Sequence, residues 1–147
     1  MSKFYYLCAM KRIMAIDYGT VKTGIAVTDP LKIAAHGLDT VPTSKLLDFL
    51  DEYFFTESVE TIVFGEIIRA DGTKGRNHER IEKLMKKIQQ KYPEITMTTF
   101  DESYTSQRAK EIILKSGVKK KKRRDKTLVD KISAILILQD YMEANGL

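Results

Sequence analysis

Arg12-Ile13-Met14-Ala15-Ile16-Asp17-Tyr18-Gly19-Thr20-Val21-Lys22-Thr23-Gly24-Ile25-Ala26-Val27-Thr28-Asp29 reads as two strands joined through a glycine turn. Ile13 to Ile16 is a short apolar run, Gly19 and Gly24 punctuate, and Ile25-Ala26-Val27 resumes the apolar character. That pattern predicts an antiparallel hairpin with a five-residue, polar-rich connection. Asp17 falls where the first strand ends. An aspartate can open a turn there, but aspartate is poor in strands, and a buried charge must be paired, protonated or metal-bound.

Downstream, Pro30 stops the second strand, and residues 33–41 supply a third before Pro42. Thr43 or Ser44 is placed to cap a helix over residues 45–56, whose Leu46, Leu47, Phe49, Leu50, Tyr53 and Phe54 make a broad apolar face. Thr61-Ile62-Val63-Phe64 before Gly65 reads as a buried strand beside the first. A loop over residues 66–75 carries the turn signal Asp71-Gly72-Thr73 and leads into a helix over residues 76–91, with a sparse stripe of Ile81, Leu84, Met85 and Ile88. Pro93 breaks it, and residues 95–100 give a fifth strand ending at Asp101-Glu102. Two further helices follow: residues 104–116, terminated by Gly117, and residues 126–144, whose Ala134-Ile135-Leu136-Ile137-Leu138 is apolar on every side. The order β-β-β-α-β-α-β-α-α is mixed α/β. Right-handed crossovers then predict one five-stranded sheet of order 3-2-1-4-5, three strands antiparallel and two parallel, flanked by helices.

Three carboxylates stand out on that frame. Asp17 and Glu102 close strands, and Asp130 shares a helical face with Ala134 and Ile137, the face expected to meet the sheet. Asp101 points to the opposite strand face from Glu102, so only one of the two can enter a common site, and Glu102 is the choice unless the strand ends a residue earlier. Three such groups repel one another unless cations neutralise them. Hard Mg²⁺ or Mn²⁺ suits an all-oxygen set, and such ions serve phosphodiester hydrolysis.

The 147 residues fit one domain over residues 12–147, preceded by an N-terminal tail over residues 1–11; a start at Met10 would make an equally sensible protein. The net charge of +5 is local. Lys119, Lys120, Lys121, Lys122, Arg123 and Arg124 form an unbroken basic run in a loop, and without it nineteen basic residues face twenty acidic ones. A run this dense is expected to grip phosphates, although a solvated loop looks similar. Cys8 is the single cysteine, which rules out an internal disulfide and a cysteine zinc site. No run reaches the roughly eighteen apolar residues of a membrane span. A soluble, cytoplasmic protein, monomer or homodimer, is expected. His36 and His78 lack partner spacing and read as structural or surface histidines, and Tyr18 and Tyr104 as packing residues that could also stack on bases.

Residues 15–20 with 24–29, Asp71-Gly72-Thr73, Asp101-Glu102 with Thr105-Ser106, and Asp125-Lys126 with residues 128–134 resemble, as an ordered set, the YqgF/RuvX family of RNase H-like proteins. The resemblance spans essentially residues 12–143. It implies an RNase H-like fold and a nuclease processing the 5′ end of precursor 16S ribosomal RNA, with resolution of Holliday-junction DNA as the alternative. The acidic triad it carries over is Asp17, Glu102 and Asp130. This chain departs from the family in having Gly65-Glu66-Ile67-Ile68-Arg69 for Gly-Leu-Pro-Leu-Asn, Ser103 for the arginine of Asp-Glu-Arg, and Lys22 for an arginine. Arg108 is a spatial substitute for the missing arginine on this reading, and Lys22, Arg108 and Lys126 join the basic run as expected nucleic-acid contacts. Two rivals remain at this point: a non-catalytic nucleic-acid-binding module of the same fold, and an actin-like ATPase fragment using the turn at Asp17 to Thr20 for phosphate.

Overall fold

Hydrogen-bond pairing puts five strands in the order β3-β2-β1-β4-β5. The computed structural model describes residues 10–103, 105–117 and 126–147; residues 1–9 of the expected tail and the basic run at 119–124 fall outside them. The strands are β1 (Arg12–Asp17), β2 (Lys22–Thr28), β3 (Ala35–Pro42), β4 (Val59–Glu66) and β5 (Thr96–Asp101). β1 runs antiparallel to β2, and β2 to β3, whereas β4 and β5 are parallel to β1 and to each other. Among the described residues the α-helices are α1 (Leu46–Thr56), α2 (His78–Lys91), α3 (Thr105–Lys115) and α4 (Lys126–Ala144). Sheet order and strand directions match the sequence-based expectation, with element ends displaced by a residue or two.

Side chains alternate across the sheet, so each face has its own core. Met14, Ile16, Ile25 and Phe64 pack on one face against Leu46 and Leu50 of α1 and Ile81 and Ile88 of α2. On the other, Ile13, Ala15, Ala26 and Val63 meet Ala134, Ile137 and Leu138 of α4. A third cluster joins Ala109 and Ile113 of α3 to Val129 and Leu136 of α4. This explains why α4 is apolar all round: it is sandwiched between the sheet and α3. Among the described residues no helix is long and apolar enough to cross a membrane.

The expected cap on α1 is corrected. Neither Thr43 nor Ser44 caps a helix by its side chain, because a single 3-10 turn at Thr43–Lys45 comes first and α1 begins only at Leu46. The Thr43 hydroxyl instead donates to the Gly19 carbonyl at 2.6 Å and lies 2.8 Å from the Thr23 hydroxyl. It therefore fixes the β1–β2 turn, beside Asp17.

Candidate active site

Asp17 ends β1 on the face that carries Ala15, and its cross-strand partner is Gly24. Gly24 has a definite reason to lack a side chain: a Cβ there would collide with the backbone carbonyl of Asp130. The first turn of α4 thus lies directly on β2, one strand from Asp17. Two polar contacts hold that end of α4 down. The Thr40 hydroxyl donates to the Thr127 carbonyl at 3.0 Å, and Lys22 Nζ donates to the Thr127 hydroxyl at 3.1 Å.

Glu102 arrives from the other side. It follows the last residue of β5, and its backbone N–H donates to the Glu66 carbonyl at 3.0 Å, extending the β4–β5 ladder by one bond. Its carboxyl folds over Gly65, where an added Cβ would stand 2.9 Å from Oε2 and also strike Ile137. There it hydrogen-bonds to Asp17. Burial, and then the charge and hydrogen bond of Asp17, push the Glu102 carboxyl up to about 9. Asp101 goes elsewhere: it is exposed and accepts from the Ser103 hydroxyl at 2.6 Å and the Ser103 N–H at 3.0 Å, which hold it below the usual carboxylate range.

Two carboxyls pressed together, one of which retains its proton for want of a countercharge, are a donor set matched to a hard divalent cation. The residues therefore fit Mg²⁺ or Mn²⁺ at Asp17 and Glu102. Asp130 stands half-buried at the neighbouring helix start. Among the described residues no three Asp, Glu, His or Cys side chains converge on a single ion position. The arrangement is thus a contacting pair with a third carboxylate on the adjacent element.

A cleft of about 310 Å3 opens beside Glu102. Tyr18, Thr20 and Glu102 line one side and Arg69, Arg76 and His78 the other. The two arginines flank a small hairpin in which Ile68 bridges Lys74 and Arg69 exchanges backbone bonds with Thr73 and Gly72. Asp71 of the turn signal accepts from the Thr73 hydroxyl and N–H at 2.6 and 2.9 Å, so it is consumed in holding the turn. Ser103, standing where an arginine was expected, gives its hydroxyl proton to Asp101 at 2.6 Å, and the same oxygen lies 3.3 Å from the Ile68 carbonyl of that hairpin. Arg108 does not stand free for the missing role: its guanidinium pairs with Asp140 at 2.7 Å. Of the other expected contacts, Lys22 is at the α4 start, Lys126 is the first residue of α4, and Lys119 to Arg124 lie outside the described residues.

Sequence reasoning missed one pair altogether. Glu66 ends β4 only 3% exposed, and its carboxylate hydrogen-bonds to His78 Nδ1, while His78 Nε2 lies 3.2 Å from Glu82. A buried carboxylate needs such a partner. The signal was present in Glu66 itself, an acid at the end of a strand whose neighbours are all apolar.

A family model described as RuvX, Holliday junction resolvase, matches residues 11–144. The chain belongs to this RuvX family. A protein of Christiangramia forsetii named "Putative pre-16S rRNA nuclease" is 48% identical over 133 residues, 90% of this chain and 98% of its own length. One of the same name from Porphyromonas gingivalis is 48% identical over 134 residues, 91% of this chain and 97% of its own. Among solved structures, T. thermophilus RuvC in complex with Holliday junction substrate superposes with a TM-score of 0.51 at 15% identity, covering 92% of this chain and 96% of that one. The fold is accordingly the RNase H-like fold of RuvC. Membership in RuvX also removes the ATPase reading of the Asp17 turn.

Proposed function

We propose that this RuvX protein is a divalent-metal-dependent endonuclease that processes the 5′ end of precursor 16S ribosomal RNA. The observation that carries the reading is the contact between the Asp17 and Glu102 carboxyls, with Glu102 lining an open cleft. Relatives 48% identical over nine-tenths of the chain, named for that activity, support the substrate.

Asp17, Glu102 and Asp130 would hold Mg²⁺ or Mn²⁺, which when bound supplies positive charge to a scissile phosphate and acidifies a water for attack. The protein supplies the remainder. Asp17 and Glu102 are fixed by strand pairing rather than by loop conformation, so little reorganisation is needed when substrate arrives. To ligate such a cation, Glu102 would have to release the proton that it holds against Asp17. Lys22, Lys126 and the run from Lys119 to Arg124 are assigned in this reading as phosphate contacts, and Arg69 and Arg76 line the cleft.

The family description favours a second substrate, branched DNA. Matched cleavage assays separate the two: a precursor 16S 5′-leader RNA and a four-way DNA junction, each with wild-type protein in Mg²⁺, Mn²⁺ or EDTA. Cutting of the RNA in either metal and none in EDTA is expected. Cutting of the junction alone would reverse the choice of substrate, and undiminished cutting in EDTA would overturn the metal assignment.

A further inference from the structure

A second groove lies on the opposite side of Tyr18 from the catalytic cleft. It has a volume of about 330 Å3 and runs between α2 and the segment that opens α1. Thr43, Ser44 and Leu47 form one wall and Arg80, Lys83 and Lys87 the other. The three cations occupy positions spaced three and four residues apart, so they form one stripe along α2. All three are exposed, and none forms an ion pair with any described residue. Of the acids of the same helix, Glu82 is engaged by His78. The lining also carries apolar surface, Leu47 at 39% exposure and the partly buried Leu84.

We propose that this groove is a second track for single-stranded nucleic acid, carrying the strand that leads away from the scissile phosphate. The inference rests on the nuclease reading and extends it. Charge complementarity selects the occupant: a row of unpaired cations beside apolar surface that includes the exposed Leu47 suits a single strand, phosphates on one side and bases or sugars on the other. Continuity supplies the direction. Tyr18 lines both grooves, so a strand leaving the cleft that Glu102 lines passes Tyr18 and meets Arg80 next. Arg80 to Lys87 covers about 10 Å of helix, which matches about three stacked nucleotides. Arg76, just before α2 on the catalytic cleft, continues the same line of charge.

The test is binding, measured by fluorescence anisotropy in an Asp17→Asn background so that cleavage does not intervene. The probes are single-stranded RNAs of about 20 and about 5 nucleotides. Replacing Arg80, Lys83 and Lys87 together by alanine should weaken the long probe at least tenfold, change the short one little, and flatten the salt dependence of long-probe binding by about 2 log units per log unit of salt. A control double variant of exposed lysines on another helix, Lys110→Ala with Lys115→Ala, should leave the ratio of long- to short-probe affinity unchanged. Retention of that ratio by the groove variant, or an equal loss in the control, overturns the track. If the parent protein binds neither probe at low salt, the nuclease reading falls and the track falls with it.

Discussion

Glu102 is held by its neighbours in a state that only a cation would relieve. Its carboxyl keeps a proton up to about 9 in the metal-free protein, whereas the unfolded chain releases it near 4.5. Between those values the folded state binds more protons than the unfolded one, so stability falls as pH rises through the window and levels off above it. Thermal unfolding in EDTA is expected to show a midpoint that declines from about pH 5 to about pH 9; Glu102→Gln, which can still donate to Asp17, should remove this contribution. A slope unchanged in the variant would mean that the pair is not coupled. Gly65 tests the same geometry from below. Because a Cβ would meet Glu102 Oε2 at 2.9 Å, Gly65→Ala should displace the carboxylate and cost about 10–100-fold in cleavage rate. Single-turnover rates at saturating metal would measure this, and wild-type rates would refute the cradle.

The approach of α4 to the sheet decides where Asp130 stands. That approach is close because the residues between them are small: Ala15 and Ala26 on the sheet and Ala134 on α4, all fully buried. Ala134→Leu should overpack the layer, costing about 1–3 kcal/mol. Urea denaturation would measure the stability loss. Cleavage should suffer beyond it, since the start of α4 would be lifted from Gly24. These elements were legible in the sequence because each carries a period or a breaker of its own, and handedness of the crossovers then fixes strand order. The all-round apolar α4 announced its burial but not its second partner, α3. What escaped was whatever depends on two distant elements meeting. Thr43 looks like a cap until the Gly19 carbonyl is found within its reach. Glu66 and His78 signal nothing by spacing, and the cations of α2 read as an ordinary solvated face until the start of α1 is seen to make a groove with them.

The molecule as a whole separates its charge from its chemistry. Outside residues 119–124 its charges nearly balance, so attraction to a polyanion is concentrated in that run and in local stripes. Substituting all six residues from Lys119 to Arg124 by alanine should lower affinity for single-stranded RNA and reduce the magnitude of its salt slope by about 4, while leaving the unfolding midpoint in EDTA close to wild type. Unaltered salt dependence would show that the run is not a phosphate contact. Catalysis, by contrast, is assigned to carboxylates carried on β1, on the end of β5 and on α4, which the sheet and its crossovers gather from residues 17 to 130. The most direct test is the single-turnover rate at which Asp17→Asn protein cuts a precursor 16S 5′-leader RNA in Mg²⁺, beside wild type. Loss of cleavage with retained RNA binding and a folded protein is predicted; cleavage at the wild-type rate would contradict the assignment of Asp17 to the active site.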